Sequence, residues 1–245
     1  MSDRVAEATS LSDGWLGAAA LVLAAPDRQV THLVVRMTAP LPERQEVRQA
    51  VDQLVAADAA LQEIDEVRNT IFPVALAEDT SGPEELAEVY LEDYDVLRRF
   101  ASNSRGTYFG RICQYPHPDT STTPQLLNLT KKLRDARDGQ RFRARYQVNI
   151  YAEHKDAEAR MGFPCMAHLS FQLGGPERNR LDCLALYRAQ DMLRKGYGNF
   201  LGLAELQAYL AFHTGFEAGE LTVIAGNAVM EGRITELRRL VDRLA

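Results

Sequence analysis

The chain is poor in the features that mark disulfide-stabilised, zinc-binding and membrane proteins. Its 245 residues include three cysteines, Cys113, Cys165 and Cys183, and no C-x-x-C pair. An odd number of widely spaced cysteines argues against a disulfide framework or a zinc knuckle, and it favours a reducing compartment. The apolar segment from Leu16 to Ala25 is too short to span a bilayer and lacks the basic start of a signal peptide. We therefore predict a cytoplasmic protein with no metal site and no membrane partner.

An excess of positive charge is also lacking. The chain has 28 Lys and Arg against 34 Asp and Glu, which gives a formal net charge of −6. This balance argues against a general nucleic-acid surface, although arginines can still build a local basic pocket. The length and the ordinary 46% hydrophobic content predict a single domain over residues 1–245. Its polar start, residues 1–13, is predicted to be disordered.

The segment from Gly162 to Leu206 is the richest in patterns. Apolar and polar residues alternate from Met166 to Leu173, which predicts a half-buried strand that begins directly after Cys165. A Gly-Gly-Pro turn follows, and the apolar run from Leu181 to Leu186 predicts a second strand of the same hairpin. A turn at 196–199 is predicted to lead into a helix with an apolar stripe.

Four polar side chains in this segment stand at fixed intervals. Arg188 precedes Asp191 by three residues, and Asn199 follows it by eight, while Cys165 lies at the head of the first strand. The order Pro-Cys, strand, turn, strand, Leu-Tyr-x-x-x-Asp, Gly-containing turn and Asn resembles the thymidylate synthase family. The resemblance is strongest over residues 162–228 and implies an α+β fold, with a thymidylate synthase-like mixed β-sheet flanked by helices.

The resemblance also implies a reaction. It is cysteine-dependent transfer of a one-carbon unit from 5,10-methylenetetrahydrofolate to C5 of a pyrimidine nucleotide or related heterocycle. Cys165 would be the nucleophile that adds to C6, Arg188 would bind the nucleotide phosphate, Asn199 would bond the pyrimidine edge and Asp191 would help to place the folate. The family's glutamate that relays protons has only weak candidates here, Glu63 and Glu66.

Family members form symmetric homodimers in which paired arginines reach the phosphate in the other subunit. Arg145 matches the second arginine of the pair, and Arg143 is a substitute for the first, because Ala144 stands in its place. Gln172 is a further substrate-binding candidate. Three more residues are candidates for the pocket wall: Tyr108, His168 and Asn227.

The chemistry of Cys165 can be argued without the family. A thiol attacks as thiolate, so its ordinary pKa of about 8.5 has to be lowered by neighbouring cations or backbone donors. Arg188 is a candidate for that cation. The opposing interpretation is that Cys165 is a small buried hydrophobic residue, which is the commoner fate of an unmodified cysteine.

Several positions depart from the family pattern. Ala189 replaces the serine after the phosphate-binding arginine, and Val229 and Glu231 replace the histidine and tyrosine that hold the sugar hydroxyl. The sequence given also stops after a predicted helix over 230–245, without the tail that covers the folate. A wetter site would suit hydroxymethylation as well as methylation, and the altered sugar contacts suggest a substrate other than a deoxyribonucleotide. Two alternatives stay open: a non-catalytic nucleotide- or small-molecule-binding protein on the same scaffold, and a cysteine hydrolase that uses Cys165 and His168.

Periodicity predicts the remaining elements. They are a helix or buried strand at 15–25, a strand at 32–37, a helix from 43 to as far as 61, a loop at 68–73, helices at 84–101, 125–138 and 230–245, and strands at 148–150 and 221–225.

Overall fold

One mixed β-sheet forms the centre of the molecule. The computed structural model of the chain describes residues 4–158 and 163–245. The strands are β1 (Val5–Ala8), β2 (Gln29–Met37), β3 (Tyr115–Pro116), β4 (Thr122–Thr123), β5 (Gln147–Asn149), β6 (Met166–Gly174), β7 (Arg180–Tyr187), β8 (Gln190–Asp191) and β9 (Glu217–Val229). Within the described residues, seven of them form the central sheet in the order β1-β2-β9-β7-β6-β5, with β8 also paired to β9. β3 and β4 form a separate two-stranded ribbon.

Helices occupy most of the remaining chain. They are α1 (Leu11–Ala24), α2 (Gln45–Ala56), α3 (Ile64–Asn69), α4 (Val74–Glu78), α5 (Pro83–Glu92), α6 (Tyr94–Leu97), α7 (Tyr108–Cys113), α8 (Gln125–Asp138), α9 (Glu153–Asp156), α10 (Tyr197–Thr214) and α11 (Ile234–Leu244). A π-helical segment, Met192–Gly196, precedes α10, and two 3₁₀ turns lie at Pro26–Arg28 and Ala101–Asn103. No helix in the described ranges combines the length and apolarity that a membrane span requires.

The sheet mixes parallel and antiparallel pairs. β2 with β9, β6 with β7 and β5 with β6 are antiparallel, whereas β1 with β2, β7 with β9 and β8 with β9 are parallel. The parallel pair β7 and β9 is joined through α10, as parallel neighbours require a crossover connection. This architecture agrees with the predicted α+β class.

Apolar residues of neighbouring strands meet in rows across one face of the sheet. Two such rows are Met37, Leu221, Cys183 and Phe171, and then Val35, Val223, Ala185 and Leu169. All eight are buried, because α1 packs on β1 and β2 while α10 packs on β7 and β9. The predicted stripe of α10, Leu203, Leu206 and Leu210, is likewise buried. The period-2 pattern of the strands therefore identifies the core face.

The opposite face of the sheet, here called the outer face, is only partly covered. Val34, Leu184 and Ile224 are half-buried there, and Leu186 is 39% exposed. His168 lies on this face as well, where the register sets it between Asn149 and Leu186. The outer face thus carries an apolar centre bordered by polar side chains.

Most predicted elements are confirmed, with some corrections. The hairpin of β6 and β7, the strands β2, β5 and β9, and the helices α2, α8 and α11 occur where periodicity places them, and 15–25 belongs to helix α1. The predicted disorder of 1–13 is wrong for β1 and the start of α1, since β1 pairs with β2. Residues 1–3 and 159–162, including Gly162 of the central segment, lie outside the described residues.

Three further expectations are wrong. The predicted helix over 84–101 is divided into α5 and α6, and α3 continues to Asn69, where a loop was expected to have begun. The predicted turn at 196–199 is instead the end of the π-helical segment and the first turn of α10. Gly198 permits this packing, because a Cβ there would lie 2.8 Å from the Ile64 carbonyl oxygen of α3.

A cluster of charges joins α2, α3 and α10 at one side of the molecule. Arg48 donates to Asp52 and Asp65 at 2.8 Å each. Arg68 lies 3.4 Å from Asp65 and 3.6 Å from Glu205. Burial raises the pKa of Glu205 to about 7, against the opposing effect of Arg68. Glu205 is therefore a carboxyl group that changes charge near neutral pH in the folded protein.

Replacing Glu205 with Gln is expected to make the free energy of unfolding less dependent on pH. The carboxyl titrates near 4.5 in the unfolded chain and near 7 in the folded one. Its contribution is therefore complete below about pH 4.5 and is lost as the pH rises through 7, by about 1 to 2 kcal/mol after solvent screening. Urea unfolding at pH 5 and pH 8 measures this loss, with the exposed Glu88→Gln as control. An unchanged pH dependence in Glu205→Gln would contradict the assignment.

Candidate functional site

Cys165 is fixed by its backbone at the start of the β6–β7 hairpin. The Arg188 amide donates to the Cys165 carbonyl oxygen at 2.8 Å. The amides of Cys165 and Met166 both point at the Tyr108 hydroxyl, at 3.3 and 3.4 Å. These bonds connect the ends of the two hairpin strands to α7. The thiol therefore stands on a backbone held from two sides.

A cavity of about 310 Å³, the inner cavity, opens beside this cysteine. It brings together four predicted site residues: Cys165, Tyr108, Asp191 and Asn199. Its other walls are Gln62, Thr70, Asn103, Gly106, Thr107, Phe163, Ala189, Gln190, Arg194 and Lys195. Four residues spread over 91 positions, from Tyr108 to Asn199, thus face one space, and the volume is that of a small-molecule site.

The segment from Asp191 to Asn199 forms one wall of the inner cavity. Asp191 caps the π-helical segment, since its Oδ1 accepts from the Leu193 and Arg194 amides at 3.0 Å each. The indole of Trp15, the single tryptophan, donates to the Met192 carbonyl at 2.8 Å. Asn199 follows in the first turn of α10 and is 3% exposed. The core helix α1 thereby positions this wall.

Arg188 has a different environment. Its guanidinium is exposed and donates through Nε and Nη2 to the Pro164 carbonyl at 3.1 and 2.5 Å. It also stacks on the Tyr151 ring at 4.9 Å. Arg188 is therefore held next to the backbone that carries Cys165, at the rim rather than among the inner-cavity lining residues.

The electrostatics of the site are a balance between burial and nearby cations. Burial raises the pKa of the Cys165 thiol, while Arg188 and then Lys195 act in the opposite direction. Burial also raises the pKa of Asp191 and lowers that of Lys195. The hydroxyl of Tyr108 has its pKa raised, chiefly by burial. Without a ligand, the site therefore favours a thiol over a thiolate at neutral pH.

A second cavity of about 540 Å³, the outer cavity, adjoins the first. Gln62, Thr70, Asn103 and Thr107 line both. The outer cavity has an apolar part and a polar part. The apolar lining includes Leu76, Val89, Leu97 and Phe100, and the polar lining includes Glu66, Asn69 and Asp93. Two ligands could therefore occupy adjoining spaces with a common wall.

Several buried polar atoms near the inner cavity have no hydrogen-bond partner among the described residues. They are both amide atoms of Gln190, the Oδ1 atoms of Asn199 and Asn227, and the Tyr187 hydroxyl. The strand register sets Gln190 beside Ala228, and the Asn227 amide donates to the Arg188 carbonyl at 3.1 Å. Each unmade buried hydrogen bond costs about 1–3 kcal/mol. This side of the inner cavity is therefore suited to binding a polar ligand.

Other predicted site residues lie elsewhere. His168 bonds Asn149 at 3.0 Å and Gln147 at 2.8 Å on the outer face, and Gln172 is on the same side of β6. Among the described residues, the lining of the two cavities includes neither of these, nor Asn227, Arg143 or Arg145. These positions give no support to a hydrolase that pairs Cys165 with His168. Arg143 and Arg145 are exposed, and Arg145 stacks on Phe142 at 4.6 Å.

Sequence reasoning missed Lys195, Gln190 and Gln62. Asp191, Lys195 and Asn199 are spaced at i, i+4 and i+8, which would have indicated one helical face. The glycines at 196 and 198 instead predicted a turn. Gln62 lies in the connection before α3, where no periodic pattern identifies it.

Comparison with known proteins adds no assignment. No protein-family model matches the chain, and no curated protein is detectably similar to it in sequence.

Tyr108→Phe is expected to lower the free energy of unfolding by about 1–2 kcal/mol, because two buried amides lose their acceptor. Tyr187→Phe is the matched control. The Tyr187 ring lies 6.4 Å from that of Tyr108, but its hydroxyl has no partner among the described residues, so its removal should not lower the free energy of unfolding. Urea unfolding of both variants measures the difference. Equal stabilities would contradict the role assigned to the Tyr108 hydroxyl.

Proposed function

We propose that this chain is a divergent thymidylate synthase-like transferase. In this proposal it moves a one-carbon unit from methylenetetrahydrofolate to C5 of a pyrimidine nucleotide or related heterocycle, as a methyl or hydroxymethyl group. The observation that carries the proposal is the convergence of Cys165, Asp191 and Asn199 on one cavity, with Arg188 bonded to the backbone beside the cysteine. These are the four residues on which the sequence resemblance rests.

Each of these side chains has a chemical task in the proposal. The Cys165 sulfur adds to C6 of the ring, and the electron pair of the C5=C6 bond moves towards C5, which becomes nucleophilic. Asn199 is buried, and its Oδ1 lacks a partner among the described residues, so it can accept a hydrogen bond from a ring N–H. Arg188 binds the phosphate at the rim. After C5 has taken up the one-carbon unit, loss of the C5 proton and of the Cys165 thiolate leaves an exocyclic methylene at C5. Addition of a hydride, which the folate would supply when bound, gives the methyl product, and addition of water gives the hydroxymethyl product.

The outer cavity fits the proposed folate. Its volume and its apolar side chains, Leu76, Val89, Leu97 and Phe100, suit a flat heterocycle with an aromatic arm. Glu66 and Asn69 would face the polar atoms of that heterocycle, and Asp191 lies on the neighbouring wall. When bound, the folate would supply the one-carbon unit. Glu66, rather than the other candidate Glu63, lines this cavity and is the choice for proton relay.

Two positions at which this chain departs from the family pattern bear on the sugar of the substrate. Ala189 lines the inner cavity, and Val229 lies at the end of β9, where it pairs with Asp191. Neither side chain can hydrogen-bond a sugar hydroxyl. We therefore propose a ribonucleotide or another substrate that differs from a deoxyribonucleotide.

A homodimer through the outer face is part of the proposal. The apolar residues Leu184, Leu186 and Ile224 form adjacent positions across β7 and β9 on that face. Arg143 and Arg145 are exposed directly before β5, the strand at the edge of the same sheet. Back-to-back pairing would cover the apolar centre and leave the two arginines available to the partner subunit's site.

One observation favours the alternative, a non-catalytic nucleotide-binding protein. Burial raises the pKa of the Cys165 thiol, and a protonated thiol is a poor nucleophile. A binding protein on this scaffold would need Arg188 and Asn199 but not the thiolate.

Tritium release from 5-labelled UMP, CMP and dUMP separates the two functions. Wild-type protein with methylenetetrahydrofolate is expected to release tritium from at least one of them, with dUMP not the best substrate. Cys165→Ser should reduce release at least about a thousandfold, because a serine hydroxyl is a far weaker nucleophile without an activating base. Cys183→Ser, at a buried core position, is the matched control and should retain activity. Nucleotide binding without release would favour the binding protein.

Leu186→Glu is expected to convert the homodimer to a monomer, because a charge would be buried at the centre of the outer face. Phe212→Glu is the control, since Phe212 is 80% exposed on α10, away from that face. Sedimentation velocity measures both. If the Leu186→Glu protein still sedimented with the mass of a dimer, the outer face would not be the dimer interface.

A further inference from the structure

Lys195 is a cation in the wall of the inner cavity for which the proposed function has no task. It is half-buried, and it lines the same 310 Å³ cavity as Cys165. It lies in the π-helical segment that Asp191 caps and that Trp15 holds through Met192. Its side chain therefore extends from a fixed backbone into the space beside the thiol.

The ammonium of Lys195 is held by a neutral partner. Nζ donates to Oε1 of Gln62, a residue of the wall shared by the two cavities. No ion pair joins Nζ to a carboxylate in the part of the chain that the structure describes. The charged groups that affect the pKa of Lys195 are Cys165, Glu66, Arg194 and Asp191. An ammonium carries three donors. The Gln62 bond orients the group without neutralising its charge.

Arg188 is another cation close to Cys165, but its situation differs. It is exposed, so water screens part of its charge, although its effect on the pKa of Cys165 is larger than that of Lys195. Both of its side-chain hydrogen bonds go to the Pro164 carbonyl. In the proposed function it also binds a phosphate, which would neutralise it in the loaded site. Among the described residues, the tyrosines Tyr108 and Tyr187 are further ionisable groups that interact with Cys165. Neither supplies positive charge.

We propose that Lys195 is the positioning residue that favours ionisation of Cys165 in the inner cavity, against the effect of burial. When the thiol ionises, its proton passes to water and the thiolate lies beside the ammonium that Gln62 orients. The inference rests on the proposed nucleophilic role of Cys165 and adds to it a group that stabilises the thiolate. It also explains why a half-buried lysine lines this cavity.

The rate of Cys165 alkylation by iodoacetamide between pH 6 and pH 10 tests the inference. Peptide mass spectrometry follows Cys165 separately from the buried Cys113 and Cys183. Lys195→Met should raise the midpoint pH by about one unit and slow the reaction about tenfold at pH 7. Lys195→Arg should restore most of the rate, because it returns the charge. Lys131→Met, at an exposed site on α8, removes the same charge and should have no effect.

A second readout guards against a folding defect in Lys195→Met. The ratio of the rates with anionic iodoacetate and neutral iodoacetamide should fall in Lys195→Met, but not in Lys131→Met, because a nearby cation attracts the anion. An unshifted midpoint and an unchanged ratio would overturn the inference.

Alkylation reads the thiolate directly and needs no one-carbon transfer. Lys195-dependent alkylation in a protein that releases no tritium would support this inference and remove the proposed function. Tritium release together with alkylation that does not depend on Lys195 would support the proposed function and overturn this inference.

Discussion

A single backbone hydrogen bond, from the Arg188 amide to the Cys165 carbonyl, sets the geometry on which the site depends. At 2.8 Å it closes the β6–β7 hairpin at its open end. Residues far apart in sequence thereby become neighbours, and the chain after Arg188 has to continue along the inner cavity. The Tyr108 hydroxyl, which accepts from the Cys165 and Met166 amides, adds a third element to this junction. Cys165 thus lies where the ends of β6 and β7 meet α7.

The second constraint on the site is the opposition between burial and charge. The inner cavity excludes enough water to favour a neutral thiol, and two cations of different kinds oppose that preference. The guanidinium of Arg188 has the larger effect on the thiol and the ammonium of Lys195 the smaller one, although solvent screens the exposed guanidinium more than the half-buried ammonium. The position of each cation is decided by local structure. The hairpin end carries Arg188, and the capped π-helical segment carries Lys195.

The sequence predicted the strands better than it predicted the site. Alternation between Met166 and Leu173 was enough to place β6, because one buried face requires a period of two. Cys165, Asp191 and Asn199, which the family resemblance groups together, line one cavity. His168 and Gln172 were misplaced for the same periodic reason, since alternate positions of β6 face away from the cavity. Lys195 escaped notice because glycines at 196 and 198 usually break helices. Here they permit close contacts with Trp15 and α3, which only tertiary structure shows.

The wall common to the two cavities has a thermodynamic consequence. Gln62 accepts a hydrogen bond from Lys195 and lines both the inner and the outer cavity. The rotamer of its amide therefore affects the shape and polarity of both cavities. For the two ligands of the proposed function, a ligand that selects this rotamer from one side would change the affinity for the ligand on the other side. Linkage would make the effect reciprocal, because the factor by which the first ligand changes the affinity for the second equals the factor by which the second changes the affinity for the first. A single amide side chain would then couple the two ligands.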